Sequence, residues 1–321
     1  MITRISQDVN SAVKQLQSGL VIGLPTETVY GLAGAIDSES ALKKIFALKE
    51  RPFFDPLIVH ISDKQFVSDI FAEWNKVADI LTDAFWPGAM TIVLQKKASI
   101  NSLITSGLDT VAVRLPAHDM AREVIRKVGI PLAAPSANKF GRTSPTTSEH
   151  VMNEFREAGL LILDGGDCQI GVESTVLSPR EDGVTIYRPG MVTKEMIERE
   201  LKKHGKNINV IYAKSNVAPG HLEHHYMPKK PLVSLENSEN IRADILEQIA
   251  DKLKLENKPR YAVLELGDSA VIAARILYAK LRELEQQEID FIVASLPASA
   301  CDSSWDAIMD RITKATSFFA R

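Results

Sequence analysis

The chain has little of several features that would point to other classes of protein. Its 321 residues include two cysteines, Cys168 and Cys301, too few and too far apart for a disulfide framework or a cysteine-rich zinc module. No apolar run approaches the roughly 20 residues that span a bilayer, and no charged-then-apolar leader is visible. A formal net charge of -3 excludes a strongly basic nucleic-acid coat. We therefore expect a cytoplasmic globular protein without a membrane anchor.

The length and the hydrophobic pattern predict two α/β domains. Residues 1–203 alternate short apolar runs with helix-period segments, the pattern of an α/β domain. The pattern breaks over residues 204–231, which predicts a linker. Residues 232–321 follow with three strand–helix pairs, the last helix being Trp305–Phe318, which predicts a small Rossmann-like parallel domain. No Gly-x-Gly-x-x-Gly turn follows its strands, so dinucleotide binding is not implied.

The stretch Gly23-Leu-Pro-Thr-Glu-Thr-Val-Tyr-Gly31 is the most informative segment of the first domain. An apolar strand predicted at Leu20–Leu24 runs there into a turn that presents hydroxyls and backbone amides together. Thr-rich strand ends are often only turn chemistry. Where other polar motifs gather around it, such a turn predicts a ligand cradle.

Two cations follow the next predicted helix. Lys49 and Arg51 end a helix that Asp37 or Ser38 can cap, and Pro52 stops it. Two fixed cations beside a proline-stiffened loop suit a polyphosphate. Lys and Arg are also favoured at any helix C-terminus by the helix dipole, so a solvated helix end is the alternative.

Two predicted strands carry a histidine or an arginine at or near their ends. His60 closes a strand predicted at Leu57–Ile61, and Arg114 closes the alternating strand Thr110-Val-Ala-Val-Arg114. His60 can be a satisfied structural histidine, and Arg114 can pair with an internal Asp or Glu. Arg114 also has the planar fork that matches a carboxylate or phosphate.

Two further islands are rich in small polar residues. Pro135-Ser-Ala-Asn138 with Gly141-Arg-Thr-Ser-Pro145 can wrap phosphate oxygens, although any surface turn uses the same residue types. Glu173-Ser-Thr-Val176 opens a predicted strand, and Arg188-Pro-Gly190 precedes a helix beginning near Thr193. Each island alone is a weak signal.

The order and spacing of these islands resemble the threonylcarbamoyl-AMP synthase family, the YrdC-type enzymes, in its two-domain form. The resemblance implies a twisted mixed sheet with helices for the first domain, and it covers residues 8 to 230 through specific motifs. It implies that Lys49 and Arg51 are catalytic. The implied threonine contacts are Thr28, His60, Arg114, Ala134 and Ser174. The implied ATP contacts are Arg51, Asp55, Thr110, Ser136, Ser144, Arg188 and Tyr226.

The chain departs from the family pattern at Asp55, where members usually carry Asn, and at Phe140, where many carry Ser. A carboxylate at position 55 accepts hydrogen bonds but donates none unless protonated. The histidines at positions 221, 224 and 225 do not form the His-Glu-x-x-His motif of a helical zinc pair, and they follow Pro219-Gly220, so no metal site is expected.

The family reaction joins L-threonine, bicarbonate or carbon dioxide, and ATP into threonylcarbamoyl-AMP and pyrophosphate, with Mg2+ expected alongside ATP. Both the carbamate and the mixed anhydride decompose in water, so the linker around Tyr226, after Pro219-Gly220, is predicted to act as a lid. The family's product feeds a separate complex that modifies tRNA next to the anticodon, and this chain is expected to bind tRNA weakly or not at all.

Two other functions remain open from the sequence. One is a carbamoyl-adenylate-forming enzyme that uses carbamoyl phosphate, although such proteins also carry acylphosphatase and Cys-rich zinc modules. The other is a non-enzymatic RNA-binding module, whose affinity would fall steeply with salt. The near-neutral charge and the Thr, Ser and His residues around the cations favour a small-molecule pocket.

The two helix-end cations give a direct test. We expect Lys49→Ala or Arg51→Ala to reduce turnover at least about tenfold, which corresponds to a barrier higher by about 1.4 kcal/mol. Each variant loses a cation that would neutralise the charge of the phosphate groups and align them for the reaction. Steady-state release of pyrophosphate measures the effect. Near-normal turnover in both variants contradicts the assignment.

Overall fold

The computed structural model describes residues 2–213, 225–235, 243–294, 300 and 302–320. The chain divides into two compact units, Met1–Phe140 with Ser144–His221, and Gly141–Thr143 with Leu222–Arg321. The predicted linker motif at 219–220 and the histidines at 221 and 224 lie outside the described residues. Within the described residues, no helix has both the length and the apolar character needed to cross a bilayer.

Unit 1 is an α/β unit in which eleven strands of the described residues form one mixed sheet. The strands are β1 (Arg4–Ser6), β2 (Ile22–Leu24), β3 (Gly31–Ala35), β4 (Ile58–His60), β5 (Met90–Gln95), β6 (Thr110–Arg114), β7 (Leu132–Ala133), β8 (Leu161–Leu163), β9 (Thr175–Arg180), β10 (Gly183–Arg188) and β11 (Asn209–Tyr212). Their spatial order is β1-β8-β2-β3-β7-β4-β6-β5-β9-β10-β11.

The helices of unit 1 begin at residues whose side chains cap them. Ser38, Asn75 and Thr193 each accept a hydrogen bond from a backbone N–H in the first turn of the helix that follows. The helices are α1 (Val9–Gln17), α2 (Glu39–Lys49), α3 (Val67–Ile70), α4 (Lys76–Phe85), α5 (Ser102–Thr105), α6 (Asp119–Val128), α7 (Ser148–Glu154) and α8 (Lys194–Lys203).

Both faces of the sheet in unit 1 are covered. Along β8, Leu161 and Leu163 pack into one apolar cluster with α1 and α6, whereas Ile162 between them packs into a second, larger cluster with α2 and α4. Successive side chains of a strand point to opposite faces, so this division shows that helices cover the sheet on both sides. A sheet buried in this way leaves its strand ends and loops to carry polar chemistry.

Unit 2 is a smaller α/β unit with a fully parallel sheet in the order β13-β14-β12-β15. Its strands are β12 (Leu232–Leu235), β13 (Tyr261–Leu264), β14 (Phe291–Ala294) and β15 (Phe318–Ala320), and its helices are α9 (Ala243–Leu253), α10 (Ala270–Leu284) and α11 (Asp306–Ala315). The two architectures confirm the predicted fold class, a mixed α/β sheet followed by a smaller parallel α/β domain.

Several sequence-based boundaries were wrong. Phe318, predicted to end the last helix, lies in β15, because the chain turns at Thr316 and pairs with β12. Residues 209–212, assigned to the linker, form β11 and pair with β10. The strand predicted to open with Glu173-Ser-Thr-Val176 begins only at Thr175, so Glu173 and Ser174 precede it.

The central position of β5 predicts a large difference between two isoleucines of the same sheet. Ile92 is fully buried and pairs with both β6 and β9, whereas Ile211 on the edge strand β11 is 55% exposed. We expect Ile92→Ala to lower the free energy of unfolding by about 3 kcal/mol. Ile211→Ala should lower it by less than about 1 kcal/mol. Urea unfolding followed by circular dichroism measures both, and equal losses would contradict this packing.

Candidate active site

The first polar cluster of unit 1 gathers cations around the loop from Lys49 to Pro56. Helix α2 ends at Lys49 because Glu50 takes the left-handed conformation, with φ of 53°. The Arg51 guanidinium then turns back on its own loop, donating from Nε to Asp55 O at 3.0 Å and from Nη2 to Pro56 O at 2.9 Å. Its Nη2 also forms an ion pair with Asp55 Oδ2 at 2.8 Å. Sequence reasoning placed Arg51 and Asp55 together but did not pair them.

Lys49 joins this loop to the Pro135–Asn138 island. Its Nζ donates to Asn138 O at 2.7 Å and to Ser136 O. The side chain is buried, and burial together with the nearby Arg51 lowers the pKa of Lys49 well below its usual value, while carboxylates including Asp55 act in the opposite direction. Lys49 is therefore a buried donor, and the alternative of a solvated helix end was wrong.

Arg188 reaches the same region from the end of β10. Its Nε and Nη2 donate to Ser174 O at 3.1 and 3.0 Å, and Nη2 also lies 3.3 Å from Ser174 Oγ. The backbone of Gly190 packs so tightly here that a Cβ at that position would lie 2.3 Å from Thr175 N. The Arg188-Pro-Gly190 island therefore fixes the segment that carries Ser174.

The second polar cluster surrounds Arg114 at the end of β6. Its Nη2 forms an ion pair with Glu27 Oε1 at 2.5 Å, Nη1 donates to Thr28 Oγ1 at 2.6 Å, and Nε donates to Gly88 O at 3.1 Å. Thr28 is held in turn by Thr26, whose hydroxyl lies 2.9 Å from that of Thr28. The internal pairing that the sequence left open for Arg114 is therefore present, with Glu27 as the partner.

Burial of the Glu27 carboxyl alone would raise its pKa. The Arg114 guanidinium and the backbone N–H of Ala117 outweigh that effect, so the pKa of Glu27 lies below its usual value of 4.5. The carboxyl is thus ionised at neutral pH and balances the charge of Arg114.

His60 and Ala134 lie beside Arg114. In the parallel pairing of β4 with β6, His60 stands opposite Arg114, and Ala134 N donates to Ile58 O at 3.0 Å. Burial, with a further contribution from Arg114, lowers the pKa of His60 to about 3. The imidazole is therefore neutral at physiological pH and offers one donor and one acceptor.

A polar path connects the two clusters. Thr91 on β5 stands opposite Arg114 in the antiparallel pairing of β5 with β6, and its hydroxyl lies 2.7 Å from Ser174 Oγ. Ser174 is in turn bound by Arg188. A row of buried polar residues thus leads from Arg114 through Thr91 and Ser174 to Arg188, and sequence reasoning missed Thr91.

Ser144 and Thr110, two further predicted ATP contacts of unit 1, have different surroundings. Ser144 Oγ donates to Glu173 Oε1 at 2.6 Å, and Glu173 is a buried carboxylate that sequence reasoning quoted within a motif without giving it a role. Thr110 lies at the opposite end of β6 from Arg114, roughly 13 Å away at a strand's rise. The β4–β6 pairing begins at Ile58 and Ala112, so Thr110 lies two residues before it, at the end of β4 that follows the Lys49–Pro56 loop.

Tyr226, predicted to contact the nucleotide, belongs to unit 2. It adopts a left-handed backbone with φ of 64°, and its ring packs 5.8 Å from the Tyr278 ring and 5.3 Å from the Arg311 guanidinium. Its carbonyl accepts from Thr143 Oγ1 at 3.2 Å. The nucleotide contact of Tyr226 stays a prediction.

The fold and the site define an α/β protein with a group of buried Lys and Arg side chains. Known proteins are similar to this chain over most of its length. The family model described as "Telomere recombination" matches residues 14–190, and the one described as "Threonylcarbamoyl-AMP synthase, C-terminal domain" matches residues 192–317. The threonylcarbamoyl-AMP synthase of Pyrococcus abyssi is 36% identical over 94% of this chain and 92% of its own length. That of Bacillus subtilis is 37% identical over 96% and 92%.

A solved structure agrees with these relatives. The crystal structure of P. abyssi Sua5 complexed with L-threonine has a TM-score of 0.86 and 33% identity, covering 99% of this chain and 98% of that one. This chain therefore belongs to the threonylcarbamoyl-AMP synthase family, as its sequence motifs predicted.

The Arg114–Glu27 pair predicts a pH-dependent contribution to stability. Glu27→Gln should lower the free energy of unfolding at pH 7 by about 3 kcal/mol, because Arg114 stays buried without its counter-ion. The folded-state pKa of Glu27 is lowered, so the pair stabilises the fold above pH 4.5 and loses that effect as pH falls through the folded-state value. The difference between wild type and variant should therefore shrink in acid.

Urea unfolding at several pH values measures this difference, with Glu73→Gln, at an exposed carboxylate, as the control. A difference that grows on acidification would contradict the pairing.

Proposed function

We propose that this chain, as a threonylcarbamoyl-AMP synthase, forms L-threonylcarbamoyladenylate and pyrophosphate from L-threonine, bicarbonate or carbon dioxide, and ATP. The observation that carries the proposal is the row of buried polar residues from Arg114 through Thr91 and Ser174 to Arg188. An amino acid at one end and a triphosphate at the other would bring the threonine nitrogen and the α-phosphorus into the same space.

The Arg114 cluster suits the amino acid. The guanidinium has five N–H donors, and its contacts to Gly88, Thr28 and Glu27 use three, which leaves two for a carboxylate. We assign the threonine carboxylate to Arg114, the threonine side chain and amine to the region of Thr28, neutral His60 and Ser174, and a backbone contact to Ala134. Glu27 would hold Arg114 in place while both are buried.

The cations of the first cluster suit the triphosphate. In the reaction the threonine amine adds to carbon dioxide, a carbamate oxygen attacks the α-phosphorus, and the bond from that phosphorus to pyrophosphate breaks. An anion then attacks a polyanion, so Lys49, Arg51 and Arg188 would act by neutralising charge and aligning the groups. Ser136, Ser144, Thr110, Asp55 and Tyr226 are the further proposed ATP contacts. No general base is assigned.

Mg2+ would accompany ATP mainly through its phosphates. Within the described ranges no group of three or more His, Cys, Asp or Glu side chains could hold a metal ion. The ion would supply further neutralising charge at the triphosphate. The protein's own share of that charge would come from its buried Lys and Arg side chains.

The remaining parts of the chain have a proposed role in enclosing and passing on the product. The segment between β11 and Pro231 would act as the lid that excludes water, with Tyr226 as its nucleotide contact. The product would pass in the cytoplasm to a separate transferase complex that modifies tRNA, without strong tRNA binding by this chain.

Pyrophosphate release from the purified full-length protein with Mg-ATP and bicarbonate tests the proposal. We expect release that depends on L-threonine, with a product of the mass of threonylcarbamoyl-AMP. Carbamoyl phosphate replaces threonine and bicarbonate in a second arm. Release only in that arm would favour the carbamoyl-adenylate reaction, whereas silence in both arms with salt-sensitive RNA binding would favour the RNA-binding module.

A further inference from the structure

The Lys49–Pro56 loop contains a carboxylate, and the cations around it are the ones proposed to bind the triphosphate of ATP. Asp55 is 7% exposed, and its carboxylate is paired with Arg51 at 2.8 Å between side-chain atoms. Lys49 at the end of α2 and Arg188 at the end of β10 are the other charged groups that act on it. A buried anion in this position competes with any anionic ligand for the same guanidinium.

The loop holds this pair in a defined geometry. Asp55 N donates to Pro52 O at 3.3 Å, which closes a turn, and prolines at positions 52 and 56 restrict the backbone on both sides. The Arg51 Nε donates to the carbonyl of Asp55 itself, so the same residue binds the guanidinium by its backbone and its side chain. The carbonyl contacts alone can keep Arg51 in place if the carboxylate loses its charge.

We propose that Asp55 is a positioning residue that serves as the internal counter-ion of Arg51. Binding of the ATP triphosphate is then coupled to protonation of the Asp55 carboxylate, which takes up a proton and loses its charge. The inference rests on the proposed function, because it takes the Lys49–Pro56 loop as the phosphate site. Asp55 thereby sets the affinity for ATP and makes it depend on pH.

The sign of the pH dependence follows from the charges. Burial already raises the pKa of Asp55 above its usual value of 3.8, against the lowering effect of Arg51, Lys49 and Arg188. A bound triphosphate adds negative charge and raises that pKa further. The pKa of Asp55 is therefore higher in the ATP-bound protein than in the free protein. Protonation of Asp55 favours ATP binding at low pH, and this gain in affinity is lost as pH rises through the pKa of the bound state.

Isothermal titration of Mg-ATP into the full-length protein without threonine, between about pH 5.5 and pH 8, tests this linkage. Asp55→Asn removes the charge and keeps the size, and it should bind ATP about tenfold tighter at the upper end, with a difference that shrinks as pH falls. Buffers of different ionisation enthalpy should show less proton uptake in Asp55→Asn than in wild type. The protonation of free ATP is common to both proteins and cancels in the comparison.

Three further variants complete the design. Asp55→Glu keeps the charge and should retain the pH dependence, and Asp37→Asn, at an exposed carboxylate, should behave as wild type. Asp55→Ser is a second neutral variant and should show the same increase in ATP affinity as Asp55→Asn. The comparison can then still be made if one of the two variants fails to fold. Equal affinity and pH dependence in wild type and the folded neutral variants, or weaker binding in those variants, would overturn the inference.

Adenylate formation, measured on the same preparations, separates this inference from the proposed function. If ATP binding depends on Asp55 as described but no threonylcarbamoyl-AMP forms, the inference stands and the function fails. If the adenylate forms while wild type and the neutral Asp55 variants show the same ATP affinity and pH dependence, the function stands and the inference fails. No ATP binding at any pH would overturn both.

Discussion

Burial of cationic side chains is the constraint on which the site in unit 1 depends. Arg51, Arg114, Arg188 and Lys49 are each at most 9% exposed, and an uncompensated buried charge would be strongly destabilising. Arg114 is balanced by Glu27 and Arg51 by Asp55, while Arg188 and Lys49 are bound by backbone carbonyls. The difference matters for function. Where a carboxylate balances the cation, that carboxylate competes with an incoming anionic ligand for the cation. Where backbone carbonyls hold the cation, no charged group competes with the ligand.

The mixed sheet is what allows these cations to act together. The pairing of β5 with β6 sets Thr91 opposite Arg114, and β9 beside β5 brings Ser174 within hydrogen-bonding distance of Thr91. Helix α2 delivers Lys49 to the Pro135–Asn138 island, which itself runs along the start of β3. Packing on both faces of the sheet fixes these strand ends, so a rigid scaffold presents polar groups contributed by distant parts of the sequence.

Parts of the fold with strong local signals were predictable. The helix capped by Ser38 was predicted from periodicity and capping, and the strand that ends at Arg114 was predicted from its alternation. β3 was missed because Gly-Leu-Ala-Gly-Ala has low intrinsic strand preference and becomes a strand by pairing with β2 and β7. Phe318 is extended for the same reason, since its partner β12 lies far away in the sequence.

The residue types of the site and their grouping into short islands can be read from the sequence, because each is a local property of about ten consecutive residues. The family follows from the order and spacing of those islands along the chain. The folded structure was needed to show that Glu27 pairs with Arg114, that Thr91 lies between Arg114 and Ser174, and that Ser144 binds Glu173. The reason is physical, because the partner of a buried charge or hydroxyl is set by the spatial order of the strands, and that order depends on the packing of the whole unit.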